Sequence, residues 1–408
     1  MRIIRALVLL LSFFLATPAF AADLPTAKPA EVGLSSERLE RLGQALRADV
    51  EKGRIPGAVV VIARRGRVAF VQAAGFRDPA TRAPMTPDAI FRIASMTKPM
   101  VTVAALSLYE EGRLFPDDPV SKYIPALKGQ TVGLERAAVT REMTIQDLMR
   151  HTSGLTYGNR GKSEIYKMYP ESSNEASLTL TMDEFIDKLA KAPLLYQPGT
   201  QWEYSLSTDV LGRVVEVVAG KPLQEVLAER IYRPLNMTDT AFVVSADKRG
   251  RLAQPLAKHP DTGADYKVPD ATVPRKFDCG GGCAVSTARD YARFAQMLLN
   301  RGVLDGARVL APKTVELMTS DHLAGIAHGP VYYAGPGYTW GLGLAVREDR
   351  GGAPMAGSTG DYFWPGAFAT YWWADPKEQM VVVSMMQSPL GRHYAQLVRA
   401  LVYQAIVE

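Results

Sequence analysis

From Ser36-Glu37-Arg38-Leu39 to about residue 53, apolar residues return every three or four positions. That spacing predicts an amphipathic helix capped by Ser35 or Ser36. The pattern then changes to two β-rich runs, 57–63 and 68–72, separated by Arg64-Arg65-Gly66-Arg67. Two such runs around a short polar link predict a hairpin. After Phe91-Arg92-Ile93-Ala94, a helix is expected from Ser95 to about residue 112. Met100, Val101, Val103, Ala104, Leu106 and Leu108 cover most of its sides, which predicts a buried helix.

From about 115 to 275 the pattern differs. Helical stretches at 144–150, 182–191, 207–218 and 223–231 alternate with long Pro- and Gly-rich connections, and strand signals nearly vanish. After Val285 both types return. A helix is expected over 287–300, ended near Gly302. Strands are expected at 338–346, 369–374 and 380–386, and a closing helix at 390–406. Both chain ends therefore supply strands and helices. Residues 22–115 and 275–408 are expected to form one α/β unit, with 116–274 as an inserted, mostly helical domain. No internal repeat is visible.

Composition narrows the class without naming a function. The 408 residues are 47% hydrophobic and 22% charged, which excludes a disordered, collagenous or disulfide-stapled chain. The length exceeds what one hydrophobic core usually serves. The net charge is +5, and no dense Lys/Arg run with interleaved aromatics occurs, which argues against a nucleic-acid partner. The first residues stand apart. Arg2 and Arg5 precede an apolar run over 6–16, and Ala19-Phe20-Ala21 fits a small-x-small cleavage site. This predicts a signal peptide over 1–21 and a periplasmic or secreted mature chain. The run is too short to span a membrane, and no cysteine near the cleavage site offers a lipid anchor. Cleavage would lower the net charge to +3, since it removes both arginines and no acid.

Two cysteines lie in Cys279-Gly280-Gly281-Gly282-Cys283. The glycines allow the chain to close a disulfide there, with free thiols as the alternative. A zinc site would lack ligands, since His259 is the nearest upstream histidine. No metal and no cofactor is expected. A Gly-x-Ser-x-Gly elbow, a His-Glu-x-x-His helix and a phosphate-binding glycine loop are all missing.

What is present is Ser95-Met96-Thr97-Lys98. A lysine three residues on from a serine lies on the same helical face, one turn away, beside the hydroxyl. The helix N-terminus adds free N–H groups that favour developing negative charge. The bland alternative is a plain helix cap. Ser245-Ala246-Asp247-Lys248 also matches, but it runs into a polar loop and is read as chance. Tyr204, ahead of the 207–218 helix, becomes a candidate base if a lysine lies beside it; taken alone it reads as a half-buried tyrosine. Tyr362 to Thr370 contains Trp364-Pro365-Gly366-Ala367. Proline suits an edge strand, whose free N–H groups can hold a carbonyl, although an aromatic core corner reads equally from the residues.

Taken in order, these three segments resemble the serine β-lactamase and penicillin-binding protein superfamily, and within it the class-C-like esterase branch known as family VIII carboxylesterases. Supporting matches are Leu148-Met149-Arg150-His151-Thr152-Ser153-Gly154-Leu155, Gly281 to Asp290, and Tyr371-Trp372-Trp373-Ala374-Asp375-Pro376. The resemblance covers roughly residues 30–405. It implies a β-lactamase/transpeptidase-like fold of α/β (α+β) class: an antiparallel sheet flanked by helices, with an inserted helical domain and the site in the groove between them. It implies Ser95 as acylated nucleophile, Lys98 as its activator and Tyr204 as base and then acid. The N–H groups of Ser95 and Ala367 would form the oxyanion hole, beside Gly366. Two departures from β-lactamases stand out. Trp364 takes the place of their Lys or His, and Leu206 that of their Asn. Both remove polar handles for acidic amide substrates. The implied activity is hydrolysis of small-molecule esters, with Trp202, Tyr332, Tyr333, Trp340 and Trp364 as pocket walls. An amidase or D-amino-acid peptidase, a weak β-lactamase, or a non-catalytic cell-wall binder are the alternatives. His151 reads as a satisfied loop residue.

Overall fold

A computed structural model describes residues 23–329, 331–348 and 351–408. The signal peptide expected over 1–21 lies outside the described residues. Eight antiparallel strands form the main sheet. In chain order they are β1 (Gly57–Arg64), β2 (Arg67–Asp78), β3 (Ala83–Pro84), β4 (Tyr338–Trp340), β5 (Ala345–Arg347), β6 (Tyr362–Gly366), β7 (Thr370–Asp375) and β8 (Met380–Met386). In space they run β4-β5-β6-β7-β8-β1-β2-β3. The two chain ends meet where β8 pairs with β1, Val60 opposite Ser384. The β1–β2 link is a two-residue turn with positive φ at Arg65 (53°) and Gly66 (73°), a turn type that matches strand twist.

Strands β1, β7 and β8 are buried along their whole length. That requires cover on both faces and explains their near-continuous apolar sequence. Helices α1 (Ser36–Glu51) and α5 (Gly391–Tyr403) pack together, α1 on β2 and α5 on β6 and β7, while α4 (Ala288–Leu299) lies against β1, β7 and β8. Ser35 caps α1, accepting from the Arg38 N–H. Helix α2 (Thr97–Glu110) is buried from Thr97 to Leu108 and packs on α3 (Ser207–Ala219), which joins the middle of the chain to the sheet-bearing ends.

Two sequence expectations are corrected. The strand expected over 338–346 is a hairpin: Gly343 has a φ of +76°, and the chain folds back so that Trp340 pairs with Ala345. The helix expected from Ser95 begins instead as one tight turn, Ala94–Met96, and becomes α-helical at Thr97. Pro365 sits in β6, an inner strand, yet its surroundings are those of an edge. Pairing with β5 involves only Tyr362 and Phe363, so from Trp364 onward that side of β6 is past its partner.

Candidate active site

Ser95 lies at the middle of the turn that precedes α2. Within 91–100 it is the only residue left partly exposed. The residue before it, Ala94, has a φ of 44°. A non-glycine residue in that region is strained and needs support from its neighbours. The support is visible: Thr97 Oγ1 donates to the Ala94 carbonyl at 2.7 Å, and the Ile93 N–H donates to the Ala284 carbonyl at 3.0 Å.

Lys98 is fully buried, and its ammonium has three donors for three acceptors. They are Ser95 Oγ at 3.4 Å, Tyr157 Oη at 3.3 Å and the Gly281 carbonyl at 2.5 Å. Nζ also stands 4.5 Å from the centre of the Tyr204 ring. Burial works against this charge, but Tyr157, Tyr204 and Asp209 outweigh it and hold the amine above its ordinary value. Burial pushes the Tyr157 phenol up to about 12, against the pull of Lys98. Burial likewise raises the Asp209 carboxyl, opposed by Lys98, by Ser173 and by the Gly281 N–H. Asp209 accepts from Ser173 Oγ at 2.6 Å and from that N–H at 2.8 Å.

Tyr204 is buried, with its phenol oxygen accepting from Trp364 Nε1 at 3.0 Å. Ser95, Lys98, Tyr204 and Trp364 thus converge from the start of α2, the approach to α3, and β6. Gly366 fixes the approach of β6. A Cβ there would meet the Ile93 carbonyl at 2.3 Å, so only glycine lets the strand end reach the Ser95 turn. Ala367, the next residue, is exposed at that end. His151 is buried with a φ of 57° and a bond from Nδ1 to Ser205 Oγ at 3.1 Å. Its pKa is driven well below the ordinary value by burial and by the Lys98 and Arg160 charges, so the ring is neutral. The Ser245–Lys248 copy is elsewhere: Lys248 pairs with Asp239 on the surface.

Several expected pocket walls are core instead. Trp202, Trp340 and Trp364 are buried and pack around His151 and Tyr204, with Trp340 and Trp364 ring centres 4.4 Å apart. Leu206 is also fully buried, so it does not face an open groove; its carbonyl accepts the first bonds of α3. The rim is made by Tyr333, which is 53% exposed, stands edge-on to Tyr204 and lies under the Arg160 guanidinium. Tyr157, Asp209 and the Gly281 carbonyl carried no sequence signal for their roles, because each acts through a contact far along the chain.

Comparison with known proteins places the fold and the family. The model of the family described as Beta-lactamase matches residues 42–405. The chain is 31% identical over 375 residues to Esterase EstB of Burkholderia gladioli, covering 87% of this chain and 91% of that protein. Among solved structures it is similar to EstCE1, described as a hydrolase with promiscuous acyltransferase activity. The TM-score is 0.77 at 28% identity, covering 90% of this chain and 99% of that one. Simvastatin synthase of Aspergillus terreus, at 24% identity and a TM-score of 0.72, shares the fold, covering 91% and 98% of the two chains. The chain belongs to the beta-lactamase family and is a serine hydrolase of the serine β-lactamase and penicillin-binding protein superfamily.

Proposed function

We propose that the protein is an exported carboxylic-ester hydrolase working through an acyl-enzyme on Ser95. The observation that carries this reading is the Lys98 ammonium, which reaches Ser95 Oγ while packed against the Tyr204 ring. Ser95 Oγ attacks the ester carbonyl carbon as the Tyr204 oxygen takes its proton. The charge on the carbonyl oxygen is met by the N–H groups of Ser95 and Ala367. The bond to the alcohol oxygen breaks, and the alcohol leaves with the proton from Tyr204. Water then repeats the sequence on the acyl group and releases a carboxylic acid. Lys98 stays charged throughout and holds the hydroxyl and the phenol oxygen in register. No cofactor takes part.

Esters are favoured over acidic amides because the Trp364 indole is committed to Tyr204 and offers no cation to a substrate carboxylate. The esterase name of the Burkholderia relative supports the same substrate class. Aromatic or small leaving groups fit the Tyr333 rim. The unit built from 22–115 and 275–408, with 116–274 inserted, would place the site between its parts.

The test is kcat/KM for p-nitrophenyl butyrate, nitrocefin and a D-alanyl-D-alanine peptide on one preparation. The butyrate ester is expected to win by orders of magnitude. A faster peptide or nitrocefin would replace the ester assignment with an amidase or β-lactamase one. Labelling of Ser95 by a fluorophosphonate without ester turnover would leave a non-catalytic binder.

A further inference from the structure

The segment Cys279–Cys283 lies against both halves of the proposed machinery. The two cysteines are buried and bridged, with Cα atoms 5.5 Å apart. Between them, Gly281 donates its N–H to Asp209 Oδ1 at 2.8 Å and accepts from Lys98 Nζ at 2.5 Å. The Gly282 carbonyl accepts from Asn174 Nδ2 at 3.0 Å, and just past Cys283 the Ala284 N–H donates to Thr97 Oγ1 at 3.1 Å. There is no room for a side chain at the first two of the three glycines. A Cβ on Gly280 would meet the Thr208 carbonyl at 2.6 Å, and one on Gly281 would meet Asp209 Oδ2 at 2.3 Å.

This creates a conflict that the cystine resolves. Close packing demands glycine at 280 and 281, a third glycine follows at 282, and glycine has the most conformational freedom to lose. Yet the carbonyl of the middle one makes the shortest of the three Lys98 contacts. A free triglycine would let that carbonyl wander, and the ammonium would follow it away from Ser95. Closing the loop covalently removes most of its alternatives.

We propose that the Cys279–Cys283 bridge is a positioning element for Lys98, holding the Gly281 carbonyl where the ammonium faces Ser95 and Tyr204. It touches no substrate and acts only through Lys98. The inference rests on the reading of Ser95 and Lys98 given above. Breaking the bond by reduction consumes two electrons and two protons, supplied by a dithiol reagent that becomes a cyclic disulfide, and leaves two thiols. Misplacing a catalytic group by about 1 Å costs up to roughly 100-fold in rate, so a loss between about 10-fold and 100-fold is expected.

The experiment is a cycle of four proteins: wild type, Cys279→Ala/Cys283→Ala, Lys98→Ala, and the triple variant. The reading is the rate of fluorophosphonate labelling at Ser95, with kcat and KM for p-nitrophenyl butyrate beside it. Opening the bridge is expected to slow labelling and kcat by that factor with KM little changed, and to cost nothing further once Lys98 is gone. Equal losses in both backgrounds would reduce the bridge to a general structural staple and overturn the proposal. An unchanged rate in the double variant, or two alkylatable thiols in denatured wild type without reductant, would also overturn it. If the double variant does not fold, wild type is treated with dithiothreitol, and labelling is read at matched circular dichroism. Reduced, folded protein that labels at the full rate overturns the proposal equally. If Lys98→Ala itself labels at the wild-type rate, the reading of Lys98 fails instead.

Discussion

The indole N–H of Trp364 points at the phenol oxygen of Tyr204 across 3.0 Å, so the residue that departs from the β-lactamase pattern is wired to the proposed base. A donor at that oxygen supports negative charge on it and fixes the direction of its remaining lone pairs. Trp364→Phe keeps a ring in the aromatic cluster and removes the donor. A bond to a charged acceptor is worth about 1.5–3 kcal/mol, which converts to a loss of roughly 10-fold to 150-fold in kcat. KM for a short ester should hold. A KM effect without a kcat effect would show that the indole contacts substrate rather than Tyr204.

Ser95→Ala is expected to abolish ester hydrolysis by several orders of magnitude while the fold survives. The side chain is partly exposed and caps no helix, so little stability is at stake. Ser245→Ala is the matched control and should leave kcat/KM unchanged, because that serine lies beside a surface turn. Retained activity in the Ser95 variant would remove the nucleophile assignment.

Lys98→Ala and Tyr204→Phe should each cripple acylation, and the double variant should be little worse than either. The ammonium faces both the hydroxyl and the phenol ring, so the charge that holds Ser95 Oγ and the base that takes its proton act as one unit. Losses within such a unit are far from additive. Single-turnover acylation rates for the four proteins give the coupling directly. Additive losses would mean that Tyr204 and Lys98 serve different steps.

What could be read in the sequence was whatever depends on neighbours along the chain. The Ser95–Lys98 spacing, the hairpin around Arg65-Gly66 and the apolar runs of β1 and β8 are local patterns. Ser95, Lys98 and Tyr204 stood out because ordered motifs carried them, and the structure brings them together. Tyr157 and the Gly281 carbonyl did not, because their roles exist only where α2 meets loops 59 and 183 positions away. The tryptophans misled for a related reason. Composition shows that Trp202 and Trp340 are aromatic, while only packing shows that they sit behind Tyr204 rather than in front of it. The turn at Gly343 was hidden inside an apolar stretch that reads as one strand.

A buried ion cluster should dominate stability at the far end of the sheet. Asp361 accepts from Arg347 Nε at 2.8 Å and from Arg399 at 2.9 and 3.1 Å, with all three side chains essentially inaccessible. Two guanidinium groups therefore share one carboxylate, joining β5 to α5. Asp361→Asn keeps the shape and leaves two buried cations facing each other, which should cost about 3–5 kcal/mol in denaturant unfolding. Arg347→Met should cost less, because Arg399 still neutralises the carboxylate. The reverse ranking would mean that packing of the arginine stems, not charge, holds this corner.

Asp290 supplies a pH dependence with a definite sign. Its carboxyl lies near the start of α4, where Oδ2 accepts from the Asp239 N–H at 2.7 Å and from Thr240 Oγ1 at 3.0 Å, and Oδ1 has no hydrogen-bond partner among the described residues. Burial raises its pKa from 3.8 to about 6, against those two bonds. The folded state therefore binds this proton more tightly than the unfolded chain does. Between about pH 3.8 and 6 the unfolded state holds fewer protons, so stability contributed by this group is complete below pH 3.8 and is lost as pH rises through 6. At 1.36 kcal/mol per pKa unit the swing is about 3 kcal/mol at most. Asp290→Asn mimics the protonated form at every pH. It should be near neutral in stability at pH 4 and stabilising at pH 7.5, seen as a Tm difference that opens across that interval. A Tm difference that stays flat from pH 4 to 7.5 would mean that Asp290 ionises normally in the folded protein, and a loss of Tm at pH 7.5 would mean that its charge is needed there by a partner cation.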